Sequence, residues 1–484
     1  MNRVLQSLKK IIPSALFDFF APFYHLLLSF CGAFFYGFPS LELTVIGVTG
    51  TKGKTTTCNL IAQILESAGL KTGLMTTVNF KIGEREWIND TKQTMLGRFE
   101  LQKLLREMAR AGCRYAVIET SSEGILQYRH RFIDYSVAVF TNLTPEHIER
   151  HGSFENYRRA KIKPFEKAAK KENGVGVYNL DDPNINYFLK PSIKNKYGYG
   201  AKISNFSAKG GSTSGGQFLP IRKANRGSSI LQSRIGIISN KFQISNIELS
   251  PEKTIFNFDG ENFEMPLIGE FNVYNAAAAI CVALSQNIPM EQIKKALASA
   301  KPPPGRMEII DKGQDFTVIV DYAHEPASLE AAYKAIHNSF LRSKSPEGQF
   351  IIRNSKLICL LGAQGGGRDK WKRAEMGKIA AQYCDEIILT NEDPYDENPS
   401  TILNDIEAGF SSISNFQFLI SNLYEVIDRE EAIQKAIFLA QKGDVVILTG
   451  KGGEVWMCVE GGKKIPWDEK KIVEEILSAK RYEI

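Results

Sequence analysis

The sequence lacks any CxxC pair: its seven cysteines are scattered along the chain, and it contains only six histidines. Zinc ribbons need closely spaced Cys or His ligands, and small secreted scaffolds need a dense set of disulfides, so neither class fits. The simplest interpretation of the scattered cysteines is that they are reduced thiols. They indicate a protein of the reducing cytoplasm.

Charge of one sign is also scarce. The 60 basic and 54 acidic residues leave a formal net charge of +6 over 484 residues, with no long basic run. Proteins that bind nucleic acid concentrate Lys and Arg on one face, so this balance predicts no nucleic-acid partner. A small anionic substrate remains compatible with it.

The chain has no uninterrupted apolar run long enough to span a membrane. Asp18, Pro22 and His25 interrupt the apolar stretch Ala15–Phe38, and the remainder, Leu26–Phe38, is shorter than the roughly 20 residues that a spanning helix needs. We predict that residues 1–42 form an apolar N-terminal segment whose helix packs on the protein or lies in a membrane interface. Peripheral membrane association through residues 15–38 is therefore one expectation.

Length and hydrophobic patterning predict two α/β domains. A chain of 484 residues should hold two or three domains of roughly 100–200 residues each. Apolar runs alternate with helical patterns on both sides of Pro302–Gly305, a run that stops a helix and marks a boundary. We predict a central domain at 43–301 and a C-terminal Rossmann-like domain at 302–484, each with a mostly parallel sheet. The clearest predicted strands are 43–50, 115–120, 136–142, 316–324, 356–363, 385–391 and 444–450.

Between about 200 and 265 the pattern changes. Residues 209–218 read KGGSTSGGQF, which predicts a flexible loop, and 238–249 and 253–267 predict short strands joined by turns. We interpret this part as a β excursion from the central sheet.

The strongest local signal is a glycine-rich loop between a buried strand and a helical pattern. Its glycines let backbone amides turn towards phosphate oxygens, and the following helix adds its partial positive charge. Lys54 would reach the terminal phosphates of ATP, and the Thr55 hydroxyl would bind Mg²⁺. A chance turn is the alternative, because Val48 stands where the strict GxxxxGK[ST] motif has its first glycine. The predicted ATP-binding residues of this loop are Gly50, Thr51, Lys52, Gly53, Lys54, Thr55 and Thr56.

This loop, TGTxGKTT, resembles the nucleotide loop of the Mur ligase family, and the similarity extends through nearly the whole chain after residue 43. The family phosphorylates a carboxylate with ATP, and the incoming amine then displaces phosphate from the acyl phosphate. The resemblance therefore implies an ATP- and Mg²⁺-dependent amide ligase of peptidoglycan synthesis. It is strongest to members that add the third amino acid of the peptide to UDP-MurNAc-L-Ala-D-Glu.

The segment after the predicted strand YAVIE matches the family's E-x-S-S motif. The resemblance implies that Glu119 is a Mg²⁺ ligand and that Ser121, Ser122 and Arg129 contact the substrate. Glu123 stands where members usually have His. Taken alone, Glu119 would be interpreted as a solvated carboxylate at a strand end.

Residues 140–161 match the family pattern F-T-N-L-x-x-D-H-x-D-x-H…A-K, with Glu146 and Glu149 in place of the aspartates. The resemblance implies that His147 is a Mg²⁺ ligand and that Lys161 carries a carbamate. Carbamylation would turn the Lys161 cation into an anion able to hold a second metal ion. By themselves, a helix-cap histidine and a surface lysine would be the ordinary interpretations.

Three further segments match the family. Asn275 in GEFNVYNAAAA corresponds to an Asn beside the adenine, and Arg306 in PGRME to an Arg at the γ-phosphate. Asp321 in DYAH corresponds to a ribose contact, and His324 to a substrate contact. An Arg suits the charge that spreads over the phosphoryl oxygens during transfer. The resemblance thus assigns catalytic roles to Lys54 and Arg306 in addition to His147 and Lys161.

The last motifs are expected to bind the incoming amino acid. The resemblance implies substrate contacts for Arg368 in GGGRD and for Gly450 and Glu454 in GKGGE, where members commonly have GKGHE. Members that add diaminopimelate have D-N-P-R, whose Arg holds the distal carboxylate. Here Tyr395 replaces that Arg and Asp393 adds a carboxylate. We therefore predict L-lysine or another basic amino acid, because loss of the Arg should weaken diaminopimelate binding roughly 10- to 150-fold.

Several alternatives stay open. A cyanophycin-type ligase, an amino acid ligase acting on a lipid-linked precursor, and a folylpolyglutamate synthetase share the chemistry, and a nucleotide-binding scaffold is the non-enzyme alternative. Members that act on nucleotide substrates usually carry a separate N-terminal uridine-binding domain, whereas residues 1–42 precede the ATP-binding domain here. The source of uridine recognition is thus left open. We expect a cytoplasmic monomer.

Overall fold

The computed structural model describes residues 14–146, 148–202, 238, 240–344, 350–352, 355–367, 369–410 and 422–480. These residues form two compact units. The first holds most of the chain up to Leu297, and the second holds Ala298 onwards together with Ile247–Ile255 and Glu264–Val273. The predicted site residues His147 and Arg368 and the predicted loop at 209–218 lie outside the described residues.

An eleven-stranded sheet is built from the strands that precede residue 266. They are β1 (Thr44–Thr49), β2 (Thr72–Met75), β3 (Asn79–Ile82), β4 (Arg85–Ile88), β5 (Tyr115–Glu119), β6 (Tyr135–Phe140), β7 (Val175–Asn179), β8 (Asn195–Gly200), β9 (Asn240–Leu249), β10 (Thr254–Phe258) and β11 (Glu261–Met265). Their order is β11-β10-β9-β8-β7-β6-β1-β5-β2-β3-β4. The seven strands from β9 to β2 pair in parallel, and β3 and β4 extend that edge as antiparallel neighbours.

Helices cover both faces of this sheet. Along β6, Tyr135 joins one buried cluster, whereas Ala138 and Phe140 join another, since alternate side chains of a strand point to opposite faces. Two-sided burial is what an all-apolar parallel strand requires. The helices of this part are α1 (Ser14–Phe35), α2 (Lys54–Ser67), α3 (Arg98–Arg110), α4 (Ser122–Leu126), α5 (Ile148–His151), α6 (Phe154–Lys161), α7 (Lys163–Ala168), α8 (Ile185–Phe188), α9 (Glu270–Ser285) and α10 (Met290–Ala298).

The strands at 240–265 are not the excursion that the sequence suggested. Strand β9 pairs in parallel with β8, and β10 and β11 continue the same sheet. Aromatic rings on neighbouring strands stack along it: the Tyr197 and Phe242 ring centroids are 6.3 Å apart, and those of Phe242 and Phe258 are 5.1 Å apart. The short, turn-rich strands looked separate because cross-strand packing of this kind leaves no mark on the local sequence.

The second unit contains a six-stranded sheet with the order β12-β13-β19-β16-β17-β18. Strand β12 is antiparallel to β13, and the remaining neighbours are parallel. The strands of this unit, including two small hairpins, are β12 (Glu308–Ile310), β13 (Thr317–Val320), β14 (Arg342–Lys344), β15 (Phe350–Ile352), β16 (Leu357–Leu361), β17 (Glu386–Leu389), β18 (Leu423–Glu425), β19 (Val445–Leu448), β20 (Trp456–Val459) and β21 (Lys463–Pro466).

This second sheet is also covered on both faces. Leu357 and Cys359 of β16 point into one buried cluster, and Ile358 and Leu360 into the other. The helices are α11 (Pro326–Ile336), α12 (Trp371–Tyr383), α13 (Pro399–Glu407), α14 (Arg429–Leu439) and α15 (Glu469–Lys480). The predicted α/β class, with two mostly parallel sheets, is confirmed.

Two cysteines that the sequence suggested were unpaired form a disulfide. Cys359 in β16 and Cys384, just before β17, are buried and bonded to each other, and the other five cysteines are free. The strands β16 and β17 are parallel neighbours, so the fold brings together residues 25 positions apart. That separation has no recognisable motif, which is why the pattern of cysteines did not reveal the bond.

The apolar N-terminal stretch forms the helix α1. Its inner face is fixed to the first unit, where the Ser29 hydroxyl lies 2.9 Å from the Tyr128 carbonyl oxygen and the Phe30 ring packs on Phe132. Within the part of the chain that the structure describes, no helix has the length and hydropathy needed to cross a bilayer.

Candidate active site

Strand register brings the predicted phosphate loop to one edge of the first sheet. Val48 of β1 pairs with Glu119 of β5, and Thr49 pairs with Phe140 of β6. Because parallel strands end at the same edge, the loop after β1 and the segments after β5 and β6 meet there. This edge is the usual place for ligands in an open α/β sheet.

Two positions of the loop require glycine, because their backbone angles are unfavourable for other residues and neighbouring atoms leave no room for a side chain. Gly50 has φ +152° and Gly53 has φ +79°. A Cβ on Gly50 would lie 1.9 Å from Thr141 Oγ1, and one on Gly53 would lie 2.2 Å from Asn275 Oδ1. Only glycine fits at either position, so the loop forms a close-packed cradle whose backbone can approach a phosphate.

The loop leads into α2, whose first residue is Lys54. No side chain caps this helix at Gly53, so its first amides remain available to a phosphate group. Lys54 Nζ donates to the Thr51 carbonyl at 2.8 Å and lies 4.0 Å from Glu119 Oε1. The loop lysine is thereby held across the cradle, as a triphosphate site requires.

Glu119 and Thr55 provide adjacent oxygen ligands. The Thr55 hydroxyl donates to Glu119 Oε2 at 2.9 Å, and the backbone N–H of Thr77 donates to the same oxygen at 2.9 Å. A hydroxyl and a carboxylate suit Mg²⁺, which usually takes its other ligands from phosphate and water. No cluster of three or more His, Cys, Asp or Glu among the described residues could hold a metal. The residues present therefore fit a Mg²⁺ that accompanies a nucleotide and neutralises phosphate charge.

The segment after β6 fixes the shape of the loop. Thr51 and Lys52 donate their backbone N–H groups to the carbonyl and side-chain oxygens of Asn142, each at 2.9 Å. Thr141 Oγ1 donates to the Lys52 carbonyl at 2.7 Å, and the Tyr157 hydroxyl lies 3.1 Å from Thr51 Oγ1. The sequence analysis did not single out these supporting residues, although they lie inside the matched segment 140–161.

Lys161 is buried beside this loop. Its ammonium donates to the Gly50 carbonyl and lies 4.7 Å from the centroid of the Tyr157 ring. Burial, with a smaller effect from Lys54, lowers the pKa of Lys161 well below its usual value. Lys161 is thus not an ordinary surface lysine, and its lowered pKa favours the neutral amine.

Lys52 has a partner of its own. Its ammonium lies 2.5 Å from Glu146 Oε1, in the segment after β6. This pairing balances part of the positive charge that the sequence suggested was directed at ATP. Asn275, also predicted at the nucleotide, accepts a hydrogen bond from Thr57 in α2 at 3.3 Å.

The predicted substrate residues after β5 are engaged in local structure. The Ser121 hydroxyl caps α4 by accepting from Gly124 N at 3.1 Å, and Ser122 is buried. Arg129 donates to Gln93 Oε1 at 2.7 Å and to the Met95 carbonyl. Their contact with a substrate stays a prediction.

In the second unit, Arg306 and Asp321 lie together. Asp321 accepts from the backbone N–H groups of Met307 at 2.8 Å and Ala323 at 2.9 Å. Burial raises the pKa of Asp321, and the nearby Arg306 opposes that shift. The Arg306 guanidinium lies 4.3 Å from the centroid of the Tyr322 ring. This cation–π contact fixes the direction of the guanidinium.

Glycine contacts join the two loops that carry the PGR and GKGG motifs. A Cβ on Gly305 would lie 1.9 Å from Gly453 N, and one on Gly453 would lie 2.7 Å from the Pro304 carbonyl. The loops can therefore meet only through bare backbone. This contact explains why a side chain at position 453, where family members commonly have His, has no room here.

The predicted amino acid residues Asp393 and Glu454 share one buried cation. Lys451 Nζ lies 2.9 Å from Asp393 Oδ1 and 2.7 Å from Glu454 Oε2, and the Tyr322 hydroxyl donates to Glu454 Oε1 at 3.2 Å. His324 Nδ1 lies 2.7 Å from the Tyr322 carbonyl. Asp393 thus has a cationic partner within the protein, and its contact with a substrate stays a prediction.

Glu392, which stands where the D-N-P-R motif has its Asp, lies beside this network. Glu392 is fully buried, and neither of its side-chain oxygens has a hydrogen-bonding partner among the described residues. Burial, and then repulsion from Asp393, raises the pKa of Glu392 to about 7. The side chain lies against Gly450, where an added Cβ would come within 2.9 Å of its Oε2.

Arg429 fixes the two backbone segments that meet at Glu392. Its guanidinium donates to the carbonyl of Asn391 at 3.0 Å and to that of Thr449 at 2.8 Å, immediately before Glu392 and Gly450. Glu469 balances the charge through a fully buried ion pair. The sequence alone gave no reason to place Arg429 near the site.

Tyr395 is positioned by the glycine-rich loop 365–367. It has φ +52°, and a Cβ on Gly366 would lie 3.0 Å from its ring. A Cβ on Gly365 would lie 2.1 Å from the Pro394 carbonyl. The structure therefore brings this loop against the segment predicted to bind the amino acid.

Taken together, the phosphate-binding loop, the oxygen ligands beside it and the α/β sheets define an ATP-binding ligase. The Mur ligase middle domain matches residues 48–283, and the Mur ligase, glutamate ligase domain matches residues 305–452. The chain belongs to the Mur ligase family and is an ATP-dependent amide ligase of peptidoglycan synthesis. The family and the enzyme class predicted from the motifs are thus confirmed.

Individual relatives are similar over most of their length. The chain is 36% identical over 449 residues to the UDP-N-acetylmuramyl-tripeptide synthetase of Roseiflexus sp. (strain RS-1), covering 90% of this chain and 79% of the relative. It is 35% identical over 455 residues to the UDP-N-acetylmuramoyl-L-alanyl-D-glutamate--2,6-diaminopimelate ligase of Geobacillus thermodenitrificans (strain NG80-2), covering 92% and 81%. A solved structure of a ligase with the latter name has a TM-score of 0.57 and 27% identity, covering 91% of this chain and 79% of that one.

The phosphate loop can be tested with a pair of glycine variants. Gly53→Ala places a Cβ against Asn275 in a left-handed backbone, so nucleotide affinity should fall by at least about tenfold. Gly69→Ala is the control, because Gly69 has φ +77° and nothing lies within 4 Å of its added Cβ. Titration with a fluorescent ATP analogue measures both. If the two variants bind the ATP analogue with equal affinity, the loop does not bind phosphate as described.

The buried Glu392 predicts a pH dependence of stability. Its folded-state pKa of about 7 exceeds the usual 4.5, so the wild-type protein should lose stability as pH rises through that interval, whereas Glu392→Gln should not. The free energy of unfolding of Glu392→Gln minus that of the wild type should be roughly 2–3 kcal/mol larger at pH 8 than at pH 5. Urea unfolding at both pH values measures it.

Glu469→Gln is the matched control for that measurement, because it removes a buried carboxylate that has a partner. It leaves the Arg429 charge unbalanced and should destabilise the protein at both pH values by about 3–5 kcal/mol. If Glu392→Gln changes the free energy of unfolding by the same amount at pH 5 and pH 8, the pKa of Glu392 is not raised as described.

Proposed function

We propose that this ligase adds the third amino acid, L-lysine or another basic residue, to UDP-MurNAc-L-Ala-D-Glu through an acyl-phosphate intermediate. The observation that carries the choice of amino acid is Tyr395, which stands where diaminopimelate-adding members have the Arg that holds the distal carboxylate. The names of the similar tripeptide synthetase and diaminopimelate ligase support this acceptor. They do not decide the amino acid, which we infer from the residues of this site.

Charge balance is the argument for a cationic side chain. Lys451 lies between Asp393 and Glu454, so these three groups carry one positive and two negative charges. Glu392, at the position of the motif's Asp, is a third acid in this region, and an ionised carboxylate in a buried place is strongly stabilised by a cation that reaches it. A distal ammonium would supply that cation. A distal carboxylate would meet repulsion instead and would find Tyr395 rather than an Arg.

The remaining roles follow the motifs. We assign catalysis to Lys54, Lys161, His147 and Arg306, with residues 43–301 as the ATP-binding domain and 302–484 as the domain for the incoming amino acid. Proposed ATP contacts are Gly50, Thr51, Lys52, Gly53, Lys54, Thr55, Thr56, Asn275, Arg306 and Asp321. Proposed Mg²⁺ ligands are Thr55, Glu119, His147 and the Lys161 carbamate. Proposed substrate contacts are Ser121, Ser122, Arg129, His324, Arg368, Asp393, Tyr395, Gly450 and Glu454.

The first experiment is phosphate release by the purified protein with ATP, Mg²⁺ and UDP-MurNAc-L-Ala-D-Glu. Lysine, ornithine and diaminopimelate are offered separately, and we expect release that needs both the acceptor and a basic amino acid. Tyr395→Arg restores a group for a distal carboxylate, so it should shift kcat/KM towards diaminopimelate by about tenfold or more.

Tyr395→Phe is the control and should leave the preference for lysine unchanged. Faster turnover of diaminopimelate than of lysine by the wild-type protein would refute the proposed amino acid. Release with none of the three would point to another acceptor, such as a lipid-linked precursor.

We propose further that Lys161 is carbamylated. Its buried position, its lowered pKa and its contact with the phosphate loop support this, because a carbamate forms from CO₂ and a neutral amine. ¹³C NMR in ¹³C-bicarbonate should show a carbamate signal in the wild-type protein that is missing from Lys161→Met. Lys196→Met, which replaces another buried lysine, is the control and should retain the signal. A wild-type spectrum without the signal would remove Lys161 from the metal site.

We propose that the protein acts in the cytoplasm as a monomer, where its nucleotide-linked substrate and ATP are both available.

A further inference from the structure

The helix α1 exposes its large apolar side chains instead of burying them. Phe23, Leu27, Phe34 and Phe35 are 64%, 60%, 68% and 74% exposed. Among residues 20–35 of this helix, whose burial the structure describes, the buried ones are small: Ser29, Gly32 and Ala33. A helix on the surface of a water-soluble domain normally turns its large apolar side chains inward, so α1 has the opposite arrangement.

The inner face of α1 is firmly held. Ser29 bonds to the Tyr128 carbonyl, Arg98 contacts the His25 ring, and a Cβ on Gly32 would lie 3.1 Å from the Arg98 carbonyl. Small residues allow this close approach of α1 to α3. The outward direction of the large side chains is therefore fixed by contacts with the folded protein.

The exposed side chains form a broad face. At about 100° per residue, those from position 20 to position 35 cover roughly 180° of the helix circumference. This is much wider than the narrow seam of a coiled coil. The face consists of Phe20, Phe23, Tyr24, Leu26, Leu27, Phe34 and Phe35, and we call it the aromatic face.

We propose that the aromatic face docks on the surface of an anionic lipid membrane, with α1 lying parallel to it. Exposed apolar patches of this kind mark interaction sites, and a half-cylinder of aromatic and aliphatic side chains suits the boundary between head groups and acyl chains.

Charge favours lipid over a second copy of the chain. Residues 1–42 carry three basic residues, Arg3, Lys9 and Lys10, and two acidic residues, Asp18 and Glu42, of which Glu42 is paired with Arg106. This excess is attracted by anionic head groups. Two copies of the chain would carry the same excess of positive charge in this segment, which opposes their association.

The test uses the full chain and sedimentation or flotation with vesicles of phosphatidylcholine, with or without phosphatidylglycerol. The wild-type protein should bind the vesicles that contain phosphatidylglycerol and bind the others more weakly. Leu27→Glu with Phe34→Glu should lower the partition coefficient by about tenfold or more, because two apolar anchors become charged. Ile88→Glu, at a 45% exposed apolar position on β4, is the matched control and should bind as the wild type does.

Leu27→Trp keeps the face apolar and reports its surroundings. It should bind normally, with tryptophan emission that shifts to the blue when the anionic vesicles are added. All variants should retain ligase activity with a soluble acceptor, which shows that they are folded. This result does not depend on which amino acid is added.

Four outcomes would overturn the proposal of an anionic membrane surface. One is a wild-type protein that fails to bind the anionic vesicles, and a second is a Leu27→Glu, Phe34→Glu variant that binds as well as the wild type. The third is a wild-type dimer that dissociates in this variant and ignores vesicles, which would identify a second copy as the occupant. Equal binding to both lipid mixtures would remove the role of anionic lipid.

Discussion

The parallel pairing of β1 between β5 and β6 is the constraint on which the nucleotide site depends. With Val48 opposite Glu119 and Thr49 opposite Phe140, three chain segments leave the sheet at one edge. A shift of one residue would turn Glu119 to the other face of the sheet and separate its carboxylate from Thr55. Two-sided burial by helices makes such a shift costly, so the register, and with it the site, is held by the hydrophobic core.

Buried charge organises the second unit in a comparable way. Arg429 is neutralised by Glu469 and donates to the carbonyls of Asn391 and Thr449, while Lys451 is surrounded by acidic groups. Removing one partner from such a set leaves an uncompensated charge, so the members hold one another in place. The consequence is a strand edge that holds Glu392, whose carboxylate oxygens have no hydrogen-bond partner in the described part of the chain.

The phosphate loop and the strands around it could be predicted because their signals are local. A glycine-rich turn between an apolar run and a helical pattern needs only a few neighbouring residues to be recognised, and Lys54 and Thr55 follow from it. Pairings between distant residues could not be predicted. Cys359 and Cys384 are joined because two strands are neighbours, and the strands after residue 240 extend the first sheet because aromatic rings stack across it.

The sequence by itself determined the fold class, the nucleotide loop and the membership of the ligase family, since these depend on periodicity and on motifs of adjacent residues. Only the tertiary structure decided which charges remain available. It gave Asp393 a partner in Lys451, left Glu392 buried against Gly450, and turned the large side chains of α1 outward. The physical reason is that burial and charge pairing are properties of three-dimensional neighbours, which a linear order of residues does not specify.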